Sequence, residues 1–345
     1  MTKDKIVEDS QVEEIGEVIF EVDSEVKKEF LEKQLKSTRS FYTYVLKRAD
    51  EFEAKIGKKM YDFNIEDRDE MLIVQYKNKN IWTFQSALSP LKTYVDFCIS
   101  KSLVRHNENR FTTILPVDYN DYINDQAKEN SYIPLSECRE FQKQLANYQD
   151  RLIIELLGLG ARGRTEKGNT LEELVNLMVK DVKWKTKELR LIKNNSEFRY
   201  IDVDDYTLEL IKNTINETFY VSNNGLKTKK NDDGIYEKTT RGRTINPSEY
   251  VFRVPGKTKH GKADYQLFAS RIQRMQKWLD KPYLTASNLY FSAIVDYAKR
   301  LKDEKGELTR KDYIKINKRF DFGKNGEEYI FKTKELVSMY LDNGE

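Results

Sequence analysis

The chain has 345 residues and a mass of 40.9 kDa, which at roughly 100–200 residues per domain allows two or three domains and excludes a small disulfide-stapled scaffold. Charged residues make up 34% and hydrophobic ones 39%, with 21 Tyr and 17 Phe; that is polar for a globular protein but too aromatic for wholesale disorder. The net charge is +3, no apolar run approaches the ~18 residues of a membrane span, and the first twenty residues are acidic, so a soluble cytoplasmic protein without a secretory signal is expected.

Residues 1–35 hold eleven acidic residues against five lysines, a net of −6, which leaves +9 on the other 310. Their charge and scarcity of aromatics predict a disordered acidic leader over 1–34. From Ser37, a candidate N-cap, the apolar positions Phe41, Tyr44, Val45, Ala49, Phe52 and Ile56 recur at helical spacing up to a stop at Gly57. A second helix spans Glu66 to Tyr76. A third, capped by Asn80, carries Ile81, Phe84, Leu88, Leu91, Tyr94, Val95 and Cys98. Lys77, Lys79 and Asn80 crowd the start of that helix, where unpaired N–H groups and the dipole suit a phosphate. Together these helices form a domain over 35–115, followed by a polar linker over 116–132.

The second half opens at Leu135-Ser136-Glu137. A helix from about Asp150 runs into Gly158, Gly160 and Gly163, and Leu171 to Met178 follows as another. Glu188–Ile192 and Phe198–Val203, separated by Lys193-Asn194-Asn195-Ser196, read as a β-hairpin with a basic tip. Tyr206 to Phe219 is helical, Tyr250–Val254 is an edge-strand candidate, and helices cover roughly 263–280, 285–302, 309–319 and 333–341. Between them, residues 222–262 hold ten basic residues against four acidic ones and five of the fifteen glycines, a flexible basic segment fit to touch a polyanion. Cys98 and Cys138 sit in amphipathic stretches and read as core filler. With these two cysteines and His106 and His260 as the only histidines, neither a disulfide framework nor a zinc site is expected, and nothing calls for a cofactor.

Leu156-Leu157-Gly158-Leu159-Gly160-Ala161-Arg162, then Leu171-Glu172-Glu173-Leu174, then Met178-Val179-Lys180-Asp181-Val182 and the basic hairpin resemble the spine of a tyrosine recombinase (phage integrase). The resemblance covers about 35 to 345. It implies a mainly α fold with a small β-sheet: a helical core-binding (SAM-like) domain over 35–115 and a mixed α/β catalytic-like domain over 133–345, forming a C-shaped DNA clamp. In that family a tyrosine attacks a DNA phosphate, arginines and a histidine or tryptophan stabilise the pentavalent charge, and a hairpin lysine protonates the leaving oxygen. Arg162 matches the first arginine, Lys193 the lysine and Tyr340 the nucleophile.

The family's His-x-x-Arg pair is missing. After Leu284-Thr285, Ser287 stands at the histidine position and Tyr290 at the arginine position, and residues 303–339 contain neither His nor Trp. Each preorganised donor lost typically costs about 3–4 kcal/mol in the barrier, so recombination at a useful rate is not expected, and Arg162, Lys193 and Tyr340 are read as vestigial. Such a degraded site resembles the phage lytic-cycle repressor family typified by MrpR (also called YopR) of SPβ-like Bacillus phages. The resemblance implies a non-enzymatic, sequence-specific transcriptional repressor that binds repeated operator sites in double-stranded DNA and maintains lysogeny; self-association or an inducer protein stays open as a further partner. The DNA-contact candidates are Lys77, Lys79, Asn80, Arg162, Arg164, Lys193, Arg199, Arg241, Arg243, Lys257, Lys259, Asn288 and Tyr290. Two alternatives stand beside this reading: an active recombinase using Tyr340, and a helical scaffold that binds another protein through its acidic leader.

Overall fold

The computed structural model describes residues 24–78, 81–104, 108–163, 171–193, 196–230, 236–256, 262–323 and 326–341. The chain divides into two units, 1–129 and 130–345.

The first unit is helical: α1 (Glu25–Glu32), α2 (Lys36–Ile56), α3 (Ile65–Glu70), α4 (Ile81–Ser100) and α5 (Asp125–Glu129). Its core gathers Phe30, Val45, Leu46, Phe52, Met71, Phe84, Leu91 and Tyr94. The leader expected to be disordered through residue 34 is corrected over its last part, because Ser24 caps α1 and Phe30 and Leu31 are buried. Lys27 is fully buried and reaches Asp50 and, at 2.7 Å, Glu53 of α2. Most of the leader's acidic residues lie outside the described residues.

The α2 cap is Leu35 rather than Ser37, and Gly57 ends the helix in the left-handed region at φ 68° as expected. α3 begins with a capping box between Asn64 and Asp67 and continues through one π-turn, Met71–Gln75. Within the stretch expected to be a linker with some local structure, Pro116–Tyr122 is a 3₁₀ helix whose Tyr122 ring stacks on Phe84 at 4.8 Å.

The second unit is built around α7 (Tyr148–Gly158), in which Leu152, Ile153, Ile154, Leu156 and Leu157 are all fully buried. α6 (Leu135–Lys143) precedes it, and the short α8 (Glu172–Val175) follows. Glu155 of α7 is tolerated inside because Arg139, Gln142 and Thr207 all donate to it at 2.7–2.8 Å, which is the condition for burying a charge.

β1 (Val182–Lys183), β2 (Glu188–Ile192) and β3 (Phe198–Asp202) form an antiparallel sheet in that order. Leu189 faces Ile201 across β2 and β3, and Leu191 faces Arg199. Leu189, Leu191 and Ile201 enter the core while Phe198 and Tyr200 stay exposed, following the two-residue period of a strand. α9 (Asp205–Asn216) leads to four strands that periodicity does not reveal: β4 (Phe219–Val221) pairs with β7 (Gly242–Thr244), and β5 (Leu226–Lys230) with β6 (Tyr236–Lys238). The edge strand expected at Tyr250–Val254 is instead a run of isolated bridges, Met178 to Tyr250 and Arg253 to Lys262. α10 (Tyr265–Trp278), α11 (Ala286–Lys305), α12 (Arg310–Phe320) and α13 (Ile330–Leu341) complete the unit. No helix among the described residues is long and apolar enough to cross a membrane.

Candidate nucleic-acid interface

α7 ends in a tight turn that delivers Arg162. Gly160 sits at φ 88°, and a Cβ there would meet the Phe320 ring at 2.2 Å, so glycine is required both by conformation and by close approach. Ala161 N–H returns to Leu156 O at 2.8 Å, and Arg162 N–H donates to the buried Glu173 carboxylate at 2.7 Å. The guanidinium of Arg162 donates to Ser287 Oγ at 3.2 Å. It also lies 5.0 Å from the Tyr290 ring centroid and 5.9 Å from that of Phe291. Ser287 thus accepts a hydrogen bond from Arg162, and the Tyr290 ring is a face for the guanidinium to stack on.

Three residues expected on a DNA surface belong to the packing of this site instead. Arg199 gives its Nε and Nη2 to the two Glu173 oxygens, each at 2.7 Å, and also donates to Gly160 O at 2.7 Å and to Arg319 O. This bidentate pair ties β3 to α8 and the arginine turn. Tyr290 is buried and donates to Phe320 O at 2.6 Å, and burial pushes its phenol pKa up. Asn288 is buried too, with its Nδ2 on Tyr283 O at 2.8 Å.

Lys193 sits at the hairpin tip as expected, but its ammonium lies 2.8 Å from Asp321 and 2.9 Å from Glu197. Burial opposes the charged form, yet those two hydrogen bonds prevail and raise its pKa, which makes it a poorer proton donor. Asp321 occupies the left-handed cap of α12 at φ 53°.

Tyr340 stands in a different cluster. Its phenol shares a hydrogen bond with Ser131 Oγ, and its ring packs on Tyr132 at 5.1 Å between centroids. Tyr132 in turn donates to Asp296 and receives Lys299 at 2.8 Å. Burial raises the Tyr340 pKa against the lowering effect of its Ser131 hydrogen bond, so the phenolate is disfavoured.

A family model described as MrpR, C-terminal catalytic domain, matches residues 132–341, and a second, described as MrpR, N-terminal core-binding domain, matches residues 21–101. The chain belongs to the MrpR family. Another protein similar to it is the SPbeta prophage-derived uncharacterized protein YopR of Bacillus subtilis (strain 168), 24% identical over 287 residues that span 83% of this chain and 84% of that one. Two solved structures are similar at a greater distance. XerA recombinase is 13% identical, with 93% of this chain and 97% of that chain covered at a TM-score of 0.38. The integrase from mycobacterium phage Brujita is 9% identical, with coverages of 91% and 88% and a TM-score of 0.35. The described residues are mainly α with small antiparallel sheets.

Other sequence-predicted residues of this MrpR-family chain scatter around the site. Lys77 is exposed in the first unit at φ 45°. Arg241 and Arg243 are exposed and flank Gly242 on the β4–β7 pair, where Arg243 is paired with Tyr220. Lys79, Asn80, Arg164, Lys257, Lys259 and both histidines lie outside the described residues. Sequence reasoning missed Asp321 as the partner of Lys193 and Glu173 as the partner of Arg199. The doubled Glu172-Glu173 before an apolar run was the available signal for the second, whereas the first depends on a tertiary contact between a hairpin and a helix cap.

Proposed function

We propose that this chain is a sequence-specific DNA-binding repressor that holds a prophage dormant and does not cut DNA. The observation that carries the reading is the conversion of the site. Arg162 is kept on its glycine turn while its expected catalytic neighbours are Ser287 and Tyr290, and Lys193 is neutralised by Asp321 and Glu197. An arginine on an aromatic face, beside a hydroxyl, can hold a phosphate without moving a proton. Phosphate contacts of this kind would set the register on the duplex, and exposed side chains such as Arg241 and Arg243 would enter a groove and choose the sequence.

A nicked suicide substrate bearing the bound sequence tests the second half of the claim. The wild-type chain is expected to bind it and leave no covalent adduct after denaturation. An adduct that disappears in Tyr340→Phe would replace the repressor with an active recombinase.

A further inference from the structure

We infer that the outer face of the β1–β2–β3 sheet is a stacking platform for single-stranded DNA, separate from the duplex contacts proposed above. The two-residue period of β2 and β3 turns Leu189, Leu191 and Ile201 into the core and leaves Arg190, Phe198 and Tyr200 on the opposite face. Phe198 and Tyr200 are 52% and 46% exposed, with ring centroids 5.8 Å apart and ring planes 83° apart. Arg190 is the cross-strand partner of Tyr200, and its guanidinium carbon lies 4.3 Å from the Phe198 ring centroid. Two exposed rings and a planar cation therefore share one sheet face.

The charge around the rings is positive. Lys180, Lys183 and Lys185 are exposed on and beside β1. Arg190 Nη1 is 3.8 Å from Asp181 Oδ1, beyond hydrogen-bond distance, so that acid offsets the charge without taking up the donor. Of the acids on the face itself, Asp202 is held by Arg319 at 3.1 Å and Glu188 stands opposite Lys183 in the register.

Rings flanked by lysines select the occupant. An unstacked base presents a π-face to an aromatic ring or a guanidinium plane whatever its identity, while neighbouring cations follow the phosphates. In a duplex the bases stack on one another, so duplex DNA would use the lysines and leave both rings idle. Ile192 stands opposite Phe198 in the register, and its apolar side chain offers a 2′-hydroxyl no partner, which favours deoxyribose over ribose. The inference does not rest on the repressor reading.

The test is a fluorescence-anisotropy titration of the full chain into a labelled oligothymidylate of about twelve nucleotides, within the usual size of a single-strand site. Saturable binding is expected. Tyr200→Leu and Phe198→Leu keep the apolar bulk and remove the ring, and each should weaken that binding about fivefold or more, whereas Tyr200→Phe should retain it. Both positions are exposed, so the variants should fold, and their affinity for a random-sequence duplex of the same length should match that of the wild type. With 5-iododeoxyuridine in the oligomer, irradiation should crosslink it to Phe198 or Tyr200. The absence of saturable binding, leucine variants that bind the strand as the wild type does, or crosslinks confined to other residues would overturn the proposal. So would an equal loss of strand and duplex binding in the leucine variants, which would make the rings part of a general DNA surface, or stronger binding of oligouridylate, which would make the strand RNA. Self-association that Tyr200→Leu abolishes, with no oligothymidylate binding, would give the face to a second copy of the chain. The repressor reading is tested on duplex operators, so the two can fail separately.

Discussion

Ser287 Oγ lies 3.2 Å from the Arg162 guanidinium and the Tyr290 ring 5.0 Å from it, so this arginine is held in place by groups that cannot donate a proton at neutral pH. If it contacts one phosphate, Arg162→Ala should weaken binding to all DNA sequences alike and reduce the slope of log affinity against log salt by about 0.9. Anisotropy titrations at several salt concentrations measure this, and an unchanged slope removes Arg162 from the footprint. Lys27 is a second decisive residue. It is buried between Asp50 and Glu53, and Lys27→Met would remove the buried cation these two carboxylates share, leaving Glu53 with Lys59 at 3.4 Å and the Met60 N–H at 3.0 Å. The expected loss is about 3–5 kcal/mol, read as a lower thermal midpoint for the first unit. At this scale the sequence was partly legible. Arg162, Lys193 and the absence of the second cluster could be read by position, because they follow the order of elements. The burial of Arg199, Asn288 and Tyr290 could not, because it depends on Glu173, Tyr283 and Phe320 arriving from elsewhere in the chain.

Among the elements, the β4–β7 pair depends on one glycine. A Cβ on Gly242 would meet Tyr220 O at 2.2 Å and the Phe219 ring at 2.5 Å and 2.7 Å, so Gly242→Ala must push the two strands apart. A cost of about 1–3 kcal/mol is expected, seen as faster amide exchange in residues 219–221 and 242–244 while the amides of α7 keep their protection. At the start of α12, Asp312 accepts from Lys305 and from the Thr309 hydroxyl and backbone, and these bonds hold its carboxyl well below the usual range. A depressed folded pKa means stabilisation that is full above the unfolded value of about 3.9 and is lost as pH falls through the folded one. Asp312→Asn should therefore cost about 1 kcal/mol at pH 7, as the loss of a cap does, and the gap between variant and wild type should close as pH falls below 4. Thermal midpoints against pH check it. Strong apolar periodicity made α2, α4 and α7 legible in advance. β4 to β7 were not, since they are short, charged and lack the alternation of a half-buried strand, and α1 was hidden because its acidic composition masks a lysine buried by ion pairing.

Across the whole molecule, each unit carries its own hydrophobic core, and the charge outside the acidic leader is strongly positive. The proposed function gives each unit a candidate DNA contact, Lys77 in the first and Arg162 in the second. The losses in binding free energy for Lys77→Ala and Arg162→Ala should then add in the double variant, as they do for sites without shared partners. Membership of the MrpR family was legible in the glycine-arginine turn, the Glu-Leu helix and the vacated His-x-x-Arg position. An operator was not, because base readout depends on a few exposed side chains, for which Arg241 and Arg243 are the candidates under the proposed function. The most direct test is a gel-shift titration of the full chain against labelled fragments of the source genome, at two salt concentrations and with excess random competitor. Tight binding to a few fragments that survives both the competitor and the higher salt is predicted. Weak binding to every fragment, abolished by salt and competitor alike, would contradict a sequence-specific repressor.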